Sequence, residues 1–508
     1  MPRVEVAEVL HRYAGGGGEV RVEGATVGAA LDSLFARFPD LRSRTLDPEG
    51  RLWPYLLLFR NGVEVPREGM SGTPLGPDDL LEIVGAAEGG SGGEDVRMRG
   101  FRERVSVAAA LAAALEGLGR AAPETVPLER AAGRVLAVAV TSDVDVPSFA
   151  RSAMDGWAVR AEDTFGASLY VPLPLDVVGE SMPGAPASVA VGAKQCVRIM
   201  TGAPVPEGAD AVLPAEQGEE REGRVFAKDA VTPRKNVGSR GEDVRRGTEI
   251  LPAGRRLRPQ DLGLLASIGL DRVEVVGRPR VRILVSGNEL LAPGERPSGA
   301  RIADSNTPML RALIERDGGE VVEALRLADD ADALRAALAR PGADVLVAAG
   351  GTSVGREDHL PVLVRALGSL PVHRVAMRPS SPTGIGTIRG TRVFLLPGNP
   401  VSCLAAYDFF AGPAIRRRAG LQEDFPHATR RVRLLHGLTS QIGRTDYCRV
   451  ALGPDGAEPL AVAGASVLSS TTRADGFVVV PESSEGHSAG TEVVVHLYDS
   501  WPGAESRS

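Results

Sequence analysis

Between residues 280 and 420 the chain passes repeatedly from a short apolar run to a glycine- or proline-bearing turn and then to a helical pattern. No other feature restricts its fold so strongly. The runs VRILVS, EVVEAL, DVLVAAGG and RVFLLP are strand-like; helical spacing follows Asn306, spans residues 331–338, and resumes after Asp358 and after the Pro397 turn. Parallel strands need long crossovers rather than hairpins, so this alternation predicts an α/β unit with a parallel sheet and crossover helices. In such sheets ligands sit outside the carboxyl ends of the strands.

Three loops fall at such ends. Gly350, Gly351, Thr352, Ser353, Val354 and Gly355 follow the third run. Pro397, Gly398, Asn399 and Pro400 follow the fourth, with Ser402 in the next helix. Asn288 and Glu289 follow the first. Glycine-rich turns leave backbone N–H groups free to face phosphates, so a shared pocket for an anionic ligand is expected. Taken singly, each turn is equally well explained as a tight βα connection, with Asp358 capping a helix.

At 508 residues the chain exceeds one core, and roughly 100–200 residues per domain gives three to five units. Residues 4–9, 19–22, 55–60 and 80–84 read as strands around a helix at 27–37, a small ββαβ-type unit ending in Gly89-Gly90. Residues 91–100 are Gly-rich and charged, the composition of a flexible linker. Ser106 is placed to cap a helix carrying Leu111, Leu115 and Leu118. Residues 135–278 are strand-rich with many turn signals, predicting irregular β modules, and residues 430–501 return to short strands, predicting a barrel or sandwich.

A net charge of −7 with no basic stripe leaves a nucleic-acid surface without its electrostatic footprint. The Ala-rich stretch at 105–118 is too short for a bilayer core of about 30 Å, and the N-terminus has no signal-like apolar segment. A soluble, cytoplasmic protein with no membrane partner is expected. Cys196, Cys403 and Cys448 are far apart, which argues against zinc knuckles and disulfides.

Outside the α/β segment, FARSAMDGWAV carries Asp155, VRIMTGAPVPEGADAV carries Thr201, and KNVGSRGEDV carries Glu242 and Asp243. By spacing alone these carboxylates read as solvated or capping groups. In order, however, SAMDGW, MTGAPVPEGADAV, RGEDV, SGNELL, DSN, GGTSVGREDH and LPGNPVS resemble the motifs of the molybdopterin molybdenumtransferases, bacterial relatives of the gephyrin E domain, over about residues 101–500. Residues 1–90 separately resemble the molybdopterin synthase small subunit and related ubiquitin-like sulfur carriers, through the fold pattern, the Asn61-Gly62 turn and the final Gly-Gly.

The resemblance implies a multidomain α/β and β protein. It would comprise an N-terminal β-grasp (1–90), a linker (91–100), domain I (101–146 and 233–278), an inserted β domain II (147–232), a Rossmann-like three-layer α/β domain III (279–423) and a C-terminal β-barrel domain IV (424–501). It implies that adenylylated molybdopterin binds between the α/β domain of one subunit and the β modules of its homodimer partner, where molybdate replaces protons on the dithiolene sulfurs and AMP leaves. Gly350, Gly351, Thr352, Ser353, Gly355, Pro397, Gly398, Asn399, Pro400 and Ser402 would hold the phosphate end. Glu289, Asp329 and Asp358 would organise Mg²⁺, while Asp155, Thr201 and Asp243 would close the site. Where the family carries lysines, HRVAMRPSSPTGIG has Arg374, Arg378 and Ser381, so cationic contacts are forked or absent.

Gly90 is joined to Ser91, so a carrier domain could meet a carrier-activating enzyme and a molybdopterin synthase large subunit only after cleavage; otherwise it is a silent docking domain. Two other functional readings are a molybdopterin adenylyltransferase, which would lack the SAMDG and MTGA modules, and a non-catalytic scaffold.

Overall fold

A computed structural model describes residues 1–6, 19–47, 50–52, 56–61, 63–66, 69–85, 104–352, 359–460 and 467–498. Residues 7–9, Tyr55, Gly62, Gly89, Gly90 and the linker, named above, lie outside these. The chain divides into two compact units, one of Met1–Gly117, Arg280–Ile415 and Glu423–Ser508, the other of Leu118–Pro279 and Arg416–Gln422.

In the first unit, the front segment builds a five-stranded sheet in the order Glu19–Arg21, Arg3–Val6, Leu80–Gly85, Leu56–Arg60, Val63–Glu64. Its first and last long strands, Arg3–Val6 and Leu80–Gly85, lie parallel at the centre. The helix Val27–Arg37 starts where Thr26 accepts a hydrogen bond from the Ala29 N–H, and it buries Val27, Ala30, Leu31 and Leu34, the spacing of one helical face, against Val4, Leu58, Leu81 and Ile83.

The α/β segment forms a six-stranded sheet in the order Glu320–Leu327, Arg280–Ser286, Val345–Ala349, Thr391–Leu396, Gly384–Ile388, Ser369–His373. Helices Ala331–Leu338 and Leu360–Leu367 cover one face through Leu334, Leu338, Leu360 and Leu363 against Leu284, Leu346 and Leu395. The alternate residues Ile283, Val347 and Phe394 are also buried, so both faces are covered and the strands are apolar throughout. The first four strands are parallel. The expectation of a wholly parallel sheet is corrected at the edge, where Gly384–Ile388 and Ser369–His373 run antiparallel to their neighbours. The cause is local: Arg389 and Gly390, at φ 49° and 87°, make a two-residue turn of the twist that suits a hairpin.

The C-terminal segment carries a sheet ordered Met377–Arg378, Thr445–Gly453, Gly476–Val480, Glu492–Leu497, Thr429–Arg433. A dipeptide from the α/β segment thus joins this sheet, parallel to Thr445 and Asp446.

The second unit holds a six-stranded sheet ordered Ala211–Pro214, Gly156–Val159, Gln195–Ile199, Leu173–Ser181, Arg224–Ala227, Gly218–Arg221. It also holds a helix that the strand-rich reading lacked, Pro259–Ser267. Its start is fixed by Asp261, whose carboxylate accepts from the Arg258 N–H at 2.9 Å and from the Arg255 and Arg258 guanidinium groups. Among the described residues no helix is long and apolar enough to cross a membrane, and all three cysteines are buried and free.

Candidate functional site

The carboxyl ends of the parallel strands supply the site. Arg280–Ser286 leads into Gly287, Asn288 and Glu289; Asn288 and Asp329 exchange hydrogen bonds, Asn288 N–H to Asp329 Oδ2 at 3.2 Å and Asp329 N–H to Asn288 Oδ1 at 3.1 Å. Two neighbouring strand ends are thereby latched. The next strand, Val345–Ala349, runs into Gly350, whose N–H donates to the Leu396 carbonyl at 3.2 Å, just before Pro397. Gly350 and Gly398 are adjacent: a Cβ on Gly398 would lie 3.4 Å from the Gly350 Cα.

Glycine is required here. Gly350 has φ 92°, and a Cβ on it would lie 2.2 Å from the Ser286 carbonyl oxygen; Gly351 has φ 58°, and its Cβ would lie 2.9 Å from Ser286 Oγ. Only a residue without a side chain lets these turns approach so closely. Beside them stand buried oxygen atoms with no hydrogen-bond partner among the described residues: Ser286 Oγ and Asp329 Oδ1 at Gly351, and Asn306 Oδ1 on the residue that holds Gly398. Buried polar atoms are almost always satisfied, so a cluster left open at one sheet edge marks a place for a ligand.

Two further residues shape the edge and had been given no role from sequence. Asp304 accepts from the N–H groups of Asn306 and Thr307, both at 3.0 Å, and so fixes the start of helix Asn306–Arg316. Asn306 then donates from Nδ2 to the Gly398 carbonyl at 2.7 Å, tying that helix to the Pro-Gly-Asn-Pro turn. Both lie in the DSN string. Ser286 opens the SGNELL string but was assigned no role there.

A strap from His373 to Thr383 crosses this region. His373 Nε2 lies 3.1 Å from the Thr352 carbonyl, and Ser380 donates to the Ser402 carbonyl at 2.6 Å. Thr352 and Ser402 are buried. Arg374, at φ 112°, is half-buried; loss of water and the nearby Arg104 charge bring its guanidinium down to about 10. Arg378 is committed to protein partners: its Nη2 pairs with the fully buried carboxylate of Asp446 and donates to the Thr439 carbonyl at 3.2 Å. Arg444 holds the same carboxylate at 2.7 Å. Glu289 is exposed, with its carboxylate folded over Gly287. Ser353, Gly355 and Asp358 lie outside the described residues.

The second unit brings together Asp155 and Thr201. Asp155 Oδ1 accepts from the Thr201 N–H at 2.7 Å and hydroxyl at 2.8 Å, and these two donors hold its carboxyl below the usual aspartate range. The turns carrying them are laced by Gly202 N–H to the Ser152 carbonyl, 2.8 Å, and Ser152 N–H to the Ala203 carbonyl, 2.9 Å. In the RGEDV loop, Glu242 rather than Asp243 is the engaged carboxylate: it pairs with Arg151 at 2.9 Å and accepts from Ser239 N–H at 2.9 Å. Asp243 is exposed, its N–H donating to the Val146 carbonyl.

Three family models match the chain. Residues 105–269 match the family described as MoeA N-terminal region (domain I and II), residues 282–417 the probable molybdopterin binding domain, and residues 431–498 the MoeA C-terminal region (domain IV). The molybdopterin molybdenumtransferase 2 of Mycobacterium tuberculosis is 35% identical over 387 residues, covering 73% of this chain and 94% of that protein. The chain belongs to the molybdopterin molybdenumtransferase family. The enzyme of that name from Staphylococcus aureus is 32% identical over 391 residues, covering 74% of this chain and 91% of its own. A crystal structure of the molybdopterin biosynthesis moea protein from Pyrococcus horikosii superposes with a TM-score of 0.69 at 33% identity, covering 78% of this chain and all of that one. The turns at Gly350 and Gly398 both fall inside the segment matched to the probable molybdopterin binding domain.

Proposed function

We propose that this molybdenumtransferase inserts molybdenum into molybdopterin in the biosynthesis of the molybdenum cofactor, taking adenylylated molybdopterin and molybdate and releasing AMP. The observation that carries the reading is the convergence of the Gly350 and Gly398 turns on one strand edge, beside partnerless buried oxygens, within the molybdopterin-binding segment. Incubating the purified chain with adenylylated molybdopterin and molybdate, and following AMP, tests it. Supplying ATP and molybdopterin instead tests the adenylyltransferase alternative, against which the matched N-terminal modules at 105–269 speak.

The chemistry of the donor set suits Mg²⁺, a hard cation that takes oxygen ligands. Asp329, whose Oδ1 is buried without a partner, would hold it, with Glu289 and Asp358 as further carboxylates. Mg²⁺ would supply charge neutralisation at the phosphoanhydride. The protein's own contribution is to orient the phosphates by the N–H groups of Gly351, Gly398 and Asn399, with the Gly350 N–H holding the turn to the Leu396 carbonyl, and to exclude bulk there. Ser381 Oγ offers a hydrogen bond where the family has a lysine. Arg374 brings positive charge to the strap, and Arg378 holds the strap in place by anchoring it to Asp446.

A homodimer in which the partner brings Asp155, Thr201 and Asp243 to the nucleotide is inferred from the family. The front sheet, with its central parallel pair and single long helix, supports a β-grasp of the ubiquitin-like carrier kind, and the C-terminal sheet supports a barrel. Cleavage after Gly90 would free a carrier carboxylate for adenylylation and thiocarboxylate formation in the cytoplasm.

A further inference from the structure

The oxygens at the Gly351 turn differ in what they can do. Asp329 Oδ1 is an acceptor only, whereas Ser286 Oγ is neutral and can donate or accept. Ser286 is 4% exposed, yet its hydroxyl has no partner among the described residues. Both oxygens face one place. The position a Cβ on Gly351 would fill lies 2.9 Å from Ser286 Oγ and 3.8 Å from Asp329 Oδ1, and the same hydroxyl lies 3.4 Å from the Cβ position of Gly350. Next along the chain the Glu289 carboxylate lies 2.7 Å from the Cβ position of Gly287. Three glycines and two open oxygens thus outline a notch at the ends of Arg280–Ser286 and Val345–Ala349.

We infer that Ser286 is a cation-positioning residue of this site: its hydroxyl and Asp329 Oδ1 together receive one divalent cation that arrives with the nucleotide pyrophosphate, not before it. The inference rests on the functional reading above and deepens it. Among the described residues, which do not include Asp358, no three His, Cys, Asp or Glu side chains form a metal-holding group. A small divalent cation that keeps several waters and takes one or two carboxylates needs substrate phosphates to complete its shell. A neutral hydroxyl beside one carboxylate adds a ligand without adding negative charge near an incoming anion. Hydroxyl ligands of this type serve phosphate-bound Mg²⁺ in other folds.

The test uses the full chain with Mn²⁺ as a paramagnetic probe and ADP as the pyrophosphate, comparing wild type, Ser286→Ala, Ser286→Thr and Gly351→Ala, with thermal melting of each. Wild type is expected to bind Mn²⁺ at least tenfold more tightly with ADP than without it. Ser286→Ala weakens Mn²⁺ about tenfold in the presence of ADP and leaves metal-free ADP binding unchanged. Ser286→Thr restores the metal, and Gly351→Ala, which fills the notch, loses it. Equal Mn²⁺ affinity with and without ADP, or no difference between Ser286→Ala and wild type, overturns this inference alone. Failure of ADP to bind under any condition overturns the functional reading, and this inference with it.

Discussion

Replacing Gly350 with alanine sets the geometry of the Gly350 turn against its sequence. Gly350 sits at φ 92°, and its new methyl would meet the Ser286 carbonyl oxygen at 2.2 Å. Backbone cannot swing aside as a side chain can, so the turn must retreat by about 1 Å to reach ordinary contact. Retreat breaks the Gly350 N–H bond to the Leu396 carbonyl, worth about 0.5–1.5 kcal/mol. The strained φ adds about 1–3 kcal/mol. Together these come to about 1.5–4.5 kcal/mol, and a domain of this size loses about 2–4 °C of Tm per kcal/mol, so a fall of about 3–18 °C is expected.

Gly390 supplies the control. It has φ 87° but nothing within 4 Å of its Cβ position, so Gly390→Ala bears the φ strain alone. Calorimetric titration with AMP then separates stability from site geometry. Gly350→Ala is expected to bind AMP at least about tenfold more weakly, since displacements near 1 Å in a binding constellation are costly, and Gly390→Ala is expected to bind it normally. Equal melting temperatures and unchanged AMP affinity in both variants would refute the reasoning.

Three other outcomes are expected. Asp155→Asn keeps an acceptor for both Thr201 donors, so its Tm should stay within about 1–2 °C of wild type while the molybdate-dependent rate falls at least about tenfold through loss of the charge. Because hydrogen bonding depresses the Asp155 carboxyl, its charge and the stability linked to it persist above the unfolded value of about 3.9 and are lost only as pH falls through the still lower folded value. A pH–rate profile from 5 to 8 should accordingly show no limb that Asp155→Asn removes. Arg378→Ala leaves the buried Asp446 with Arg444 and should cost about 1–3 kcal/mol in denaturant melts, with Arg378→Lys intermediate; lost molybdate saturation at unchanged stability would show that Arg378 acts on the anion instead. Mass spectrometry of the protein from its native cells should find a fragment ending at Gly90; only intact chain would leave the front domain in a docking role.

Much of the architecture could be read locally because single residues announce it. Ser106 caps Val107–Leu115 by accepting from Ala109 N–H, and the helix at Val27–Arg37 shows its buried face at ordinary spacing. What escaped depends on contacts distant in sequence. Pro259 and Gly263 look like loop punctuation, and the helix they belong to is nucleated by Asp261 drawing in two arginines. The edge strand Ser369–His373 pairs with Gly384–Ile388 through a register shift that Gly386 permits, its Cβ position lying 2.3 Å from the Ser369 carbonyl oxygen. In the site, glycines at strand ends signalled the turns, but Ser286, which opens the SGNELL string, had no role attached to it; its hydroxyl becomes notable only when the Gly350-Gly351 turn closes over it. Arg378 read as a free cation because its carboxylate partner, Asp446, lies 68 residues further along the chain, on the neighbouring strand of the C-terminal sheet.

Quantifying molybdenum on the pterin product, alongside AMP, after a single turnover of the intact chain with adenylylated molybdopterin and molybdate tests the central claim most directly. One molybdenum acquired per AMP released, with neither formed when molybdate is withheld, is the expected result. AMP released at the same rate without molybdate, or product free of molybdenum, would contradict it.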